Sequence, residues 1–142
     1  MVNEIKKELN IKTKELREVL EKAFKGENLK YDSIHPSYNI INEINDDENL
    51  FVTCYVEKRK PYGIHIDNRL EVDKWVIDIV LMKPDLDFQI IDLLEKNGFK
   101  TEKYNGECHG EFGGHRKLLE LDKNTSYDDI KDINVKLLKI FQ

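Results

Sequence analysis

Residues 50 to 82 alternate in chemistry with a period of two, three times in succession, and nothing else in the chain constrains its fold as much. Leu50, Val52, Cys54 and Val56 share one face, against Phe51, Thr53, Tyr55 and Glu57. Ile64 and Ile66 oppose His65 and Asp67. Trp75, Ile77, Ile79 and Leu81 then oppose Val76, Asp78, Val80 and Met82. Successive side chains of a strand point to opposite faces, so each segment predicts a strand with one side turned to a core. Turn-forming residues separate them, Lys58-Arg59-Lys60 ahead of Pro61-Tyr62-Gly63 being the clearest, and the set predicts an antiparallel meander. Lys74 to Met82 is apolar on both faces and therefore belongs in the middle of the sheet. Tyr38 to Ile44 reads as a further strand, closed by the acidic turn Asn45-Asp46-Asp47-Glu48-Asn49.

Helical spacing frames this region. Leu16, Val19, Leu20, Ala23 and Phe24 form one helical face, with Thr13 as the expected N-cap, Gly26 as the stop, and Ile5 and Leu9 extending the idea upstream. The link that follows holds His35-Pro36, which favours extended backbone. A short helix starts at Pro84-Asp85-Leu86-Asp87, buries Ile90, Ile91 and Leu94, and stops at Gly98. Phe99 to Tyr104 and His115 to Leu121 read as two more strands. Ser126-Tyr127-Asp128-Asp129 predicts a capped start for a last helix, with Ile130, Ile133, Leu137, Leu138 and Phe141 inward. The expected fold is α+β: one domain over 1–142, a single twisted, mainly antiparallel sheet of five to six strands, and helices on one face in the order α-βββ(β)-α-ββ-α. That order resembles small acidic secretion chaperones of the type III class. The resemblance is one of element order alone.

A chain of 142 residues buries roughly two-thirds of its unfolded surface, enough for a core without staples. The net charge of -5 disfavours phosphate-backbone binding, so no nucleic-acid partner is expected. The run Lys58-Arg59-Lys60, with Tyr55 and Tyr62 near it, is read as a solvated turn rather than a nucleic-acid contact. No apolar stretch reaches the length of a membrane span, and the charged start lacks a leader's apolar run, so no membrane partner is expected. Cys54 and Cys108 form no CxxC pair, which fits a reducing cytoplasm. The Lys, Ile and Asn bias fits a low-GC coding genome, bacterial or phage.

Chemistry-bearing residues concentrate in Gly106-Glu107-Cys108-His109-Gly110-Glu111-Phe112-Gly113-Gly114-His115-Arg116-Lys117, which holds four of the seven glycines. Cys108, His109 and His115 suit zinc, but the spacing departs from HExxH and no second cysteine completes a pair, so no metal and no cofactor are assigned. A small anionic ligand or nucleotide fits better: backbone amides of Gly113 and Gly114 beside His109, His115, Arg116 and Lys117. The alternative for the glycine pair is a turn or bulge. Asp78 stands out as a carboxylate on an apolar strand, either a functional acid or an arginine-paired residue. His35 and His65 stand alone in sequence and read as ordinary surface residues. With no catalytic signature present, the first expectation is a non-enzymatic protein-binding module, chaperone-, immunity- or inhibitor-like, that sequesters a partner or pairs as a homodimer. Binding or turnover of an anionic ligand at 106–117 is the alternative.

Overall fold

The computed structural model describes residues 2–37, 51–103 and 114–142. Helix α1 (Val2–Gly26) begins well before Thr13, the expected cap. The reason is one continuous stripe: Leu9, Thr13, Leu16, Leu20 and Phe24 are all buried at spacings of three or four. Thr13 is therefore an interior residue. Its hydroxyl bonds the carbonyl oxygens of Leu9 and Asn10, each at 3.0 Å, which satisfies a buried polar group without a cap. Each large apolar side chain of the stripe contributes about 1.5–3 kcal/mol by leaving water.

The described strands are β1 (Ser33–Ser37), β2 (Phe51–Lys58), β3 (Ile64–Glu71), β4 (Lys74–Leu81), β5 (Glu102–Lys103) and β6 (His115–Asp122), and β2, β3, β4 and β6 follow the expected alternating segments closely. All pairings are antiparallel, in the order β1-β2-β3-β4-β6-β5. β4 lies inside the sheet between β3 and β6, as its two apolar faces require. The segment around His35-Pro36 is a paired strand rather than an irregular link. It lies at the edge of the described sheet, the position where strands tolerate proline. Only Glu102 and Lys103 of the expected strand after Phe99 pair with β6. The expected strand from Tyr38 to Ile44, and Tyr104, lie outside the described residues.

Helix α2 (Asp87–Lys96) follows a 3-10 turn at Pro84–Leu86, buries Ile90 and Leu94, and ends before Gly98, whose φ is 87°. Helix α3 (Tyr127–Ile140) starts at Ser126, whose hydroxyl accepts from the Asp129 amide at 3.1 Å. The element order is the expected one: helix, four strands, helix, two strands, helix. Buried side chains of α1, α2 and α3 join Val52, Cys54, Val56, Ile64, Ile66, Leu70, Trp75, Ile77, Ile79 and Leu81 in one core, so all three helices cover the same face of the sheet. No described helix is long and apolar enough to cross a membrane.

A polar pair orients α3 over this core. Asn68 and Asn134 are fully buried and exchange two amide bonds, at 2.9 and 2.8 Å. Each also donates to a carbonyl oxygen, Asn68 to Cys54 and Asn134 to Ile130. Two bonds between a strand and a helix, each partner also tied to its own layer, define one register, where apolar contacts alone leave room to slide. At the start of β6, Gly114 accepts from the Leu81 amide at 2.8 Å. A Cβ at Gly114 would lie 2.4 Å from the Leu81 carbonyl oxygen, so the close approach needs glycine.

Candidate functional site

The face of the sheet opposite the helices carries most of the chemistry. Register places His35, Tyr55, Asp67, Asp78, Lys117 and Glu102 in one row across all six strands. The neighbouring row runs Ser33, Glu57, His65, Val80 and His115. These residues share a face because register partners do, and the alternation that buries Ile64, Ile66, Asn68 and Leu70 sends His65, Asp67, Arg69 and Glu71 the other way.

Asp78 is fully buried. Its Oδ2 accepts from Arg69 Nη1 at 2.7 Å and from His115 Nε2 at 2.9 Å. A carboxylate oxygen only accepts, so His115 Nε2 carries its proton here. Two charge-assisted bonds offset the cost of burying the acid. Arg69 also donates from Nε to Glu71 Oε2 at 3.0 Å, and its guanidinium lies over the Phe51 ring, 5.8 Å from the centroid. One guanidinium thus ties two carboxylates on adjacent strands.

Asp67 sits directly opposite Asp78 in the register and is partly exposed. Burial pushes its carboxyl up to about 7, and the Asp78 charge adds to this against the opposing pull of His115 and Arg69. Among the described residues no hydrogen bond or ion pair reaches it. On its other side, Tyr55 lies between two imidazoles, with ring centroids 5.3 Å from His35 and 5.3 Å from His65. Burial lowers the His65 pKa, with Glu57 opposing the shift.

The residues singled out from sequence divide between the two faces. His115 and Lys117 lie on the helix-free side, and Lys117 Nζ bonds Glu120 at 3.0 Å and Glu102 at 3.4 Å. Arg116 pairs in register with Ile79 and faces the helices, on the side of Asp87, whose pKa burial raises against the opposing pull of Arg116. The three basic neighbours therefore do not converge on one anion. Gly114 serves the close approach to Leu81. Cys108, His109 and Gly113 lie outside the described residues. Asp78 takes the arginine-paired form. Cys54 is a core thiol whose pKa burial pushes up to about 12. Among the described residues no group of His, Cys, Asp and Glu is placed to hold a metal ion.

Sequence reading passed over Asp67 and Arg69 as site residues and took His35 and His65 as isolated. The signal was present in His65-x-Asp67-x-Arg69-x-Glu71, four polar groups on one face of a strand otherwise made of core residues. Their partners on β2, β4 and β6 are distant in sequence, so only the register joins them. No protein family model matches this chain, and no curated protein or solved structure does either.

Proposed function

We propose that this chain is a non-enzymatic binding protein that holds a protein partner against the helix-free face of its sheet. The observation that supports the reading is the row from His35 to Glu102, which spans six strands with imidazole, phenol, carboxyl and amine groups. At about 4.8 Å per strand the row is roughly 24 Å wide, the scale of a protein contact rather than of a small molecule. Small-ligand sites are concave. A groove of about 440 Å³ among the described residues lies on the helix side, lined by Glu4, Lys7, Glu8, Ile11, Lys12, Glu15 and Tyr127. The ion-paired acids and stacked rings on the face are ordered before any partner arrives, which reduces the ordering cost of association.

A benzophenone amino acid placed at His35 or Glu120 tests the reading, with Lys22 on α1 as the comparison position. The expected result is a discrete adduct, with another protein or a second copy, from the two face positions and none from Lys22. Adducts from Lys22 alone, or none from any position with a monomer in size-exclusion chromatography, would overturn it.

A further inference from the structure

We infer that the partner is anchored to this face through a basic side chain, arginine or lysine, seated on Asp67. The inference rests on the proposal that the helix-free face is the docking surface, and it names the chemistry that face accepts.

Among the described residues, the carboxyls of the face are matched with one exception. Glu57 bonds Arg59, Glu71 bonds Arg69, and Glu120 bonds Lys74 and Lys117. Asp78 bonds Arg69 and His115. Asp67 is the carboxyl that none of the described cations bonds, although it stands in the middle of the row. Around it, Asp67, Asp78 and Glu71 place three carboxyls beside two described cations, the guanidinium of Arg69 and the ammonium of Lys74, which pairs with Glu71. One further cation balances that group, whereas an anion would meet three carboxyls at once. The net charge of -5 draws a basic partner toward the chain over a longer range.

The surroundings favour a directed ion pair over a loose one. Tyr55 and its flanking imidazoles wall Asp67 on the β2 side, and Asp78 with its two partners walls it on the β4 side. Water is partly displaced there already, so a cation's attraction is less screened than on an open surface. An arginine or lysine donor also supplies the hydrogen bond that no described residue gives Asp67.

The probe is an N-acetylated, C-amidated tri-arginine peptide, titrated at low salt into the full chain and read by the side-chain carboxyl resonance of Asp67 and the ring resonances of Tyr55. The expected result is saturable movement of both. Asp67→Asn weakens binding by roughly tenfold or more, the usual scale for removing one partner of a partly buried charge pair. Glu18→Gln, on the exposed side of α1, leaves binding unchanged. Asp67→Asn keeps the side chain's size and removes only its charge, and its own amide spectrum verifies the fold. Equal binding by Asp67→Asn and the parent chain overturns the inference, as does peptide-induced movement confined to residues away from β2, β3 and β4. Inorganic phosphate is the counter-probe, and its moving the Asp67 resonance to saturation overturns the inference too. If the benzophenone adducts at His35 and Glu120 survive in Asp67→Asn undiminished, the docking face stands and the basic anchor falls; if those adducts never form, the docking face itself falls.

Discussion

Asp67→Asn should make the protein more stable at neutral pH, and the gain should depend on pH in a defined way. The folded chain holds the Asp67 carboxyl up to about 7, against an ordinary value of 3.8. A group bound more tightly to its proton in the folded state adds stability that is complete below its unfolded pKa and lost as pH rises through its folded pKa. For Asp67 that window runs from about 4 to about 7. The gap between the two values corresponds to about 4 kcal/mol as a ceiling, and partial exposure reduces it toward about 2. Asparagine has the same size and no proton to lose, so the variant escapes this loss. Urea unfolding of both chains at several pH values between about 4 and 8 measures the difference. It should start near zero or slightly unfavourable, grow through the window, and level off above pH 7. Groups such as Glu57 and His65 titrate in both chains and cancel in the comparison. Parallel stability curves for the two chains across the whole window would refute the reasoning, because they would mean that Asp67 ionises as freely in the fold as outside it.

Three further substitutions probe the frame that holds the face. Gly114→Ala places a methyl 2.4 Å from the Leu81 carbonyl oxygen, a clash no rotamer relieves, and should cost about 1–3 kcal/mol by thermal or urea unfolding. Asn134→Leu leaves Asn68 buried without its two bonds to Asn134 and should cost about 2–3 kcal/mol, while the double change with Asn68→Leu should cost less than the two single effects combined, as a double-mutant cycle would show. Arg69→Met removes the 2.7 Å bond to buried Asp78 and should destabilise by about 3 kcal/mol, with Asp78→Asn in the same chain recovering part of the loss.

The fold was largely legible because its signals are local and repeated. Alternation from Val52 to Leu81 dictates which side of each strand is buried, and β4 betrays its central place by being apolar on both sides. Where reading from sequence departs from the structure, the cause is physical in each case. Thr13 has a good capping side chain, but an interior threonine can bond the preceding turn equally well, and the upstream stripe decides between the two. His35-Pro36 carries a residue poor for sheets, yet an edge tolerates it. The site was less legible because it is assembled by register. Asp78 drew notice as a lone acid on an apolar strand, but its partners Arg69 and His115 are 9 and 37 residues away in sequence. The run His115-Arg116-Lys117 looks like one basic patch in sequence, and alternation splits it between opposite faces.

The same alternation explains why Asp67 is informative about function as well as stability. A carboxyl whose ionised form is disfavoured by its surroundings weakens the folded state at neutral pH, and asparagine would serve the sheet better there. Asp78 shows that this face can stabilise a buried acid with two donors. Asp67, opposite it in register, has neither of them. A donor brought by a partner restores the missing bond and favours the ionised form at the moment of binding, so the stability withheld in the free chain reappears in the complex. Asp67→Asn therefore separates the two roles: unfolding should become harder while the arginine peptide binds more weakly. A residue that served only the packing of the sheet would not move those two measurements in opposite directions.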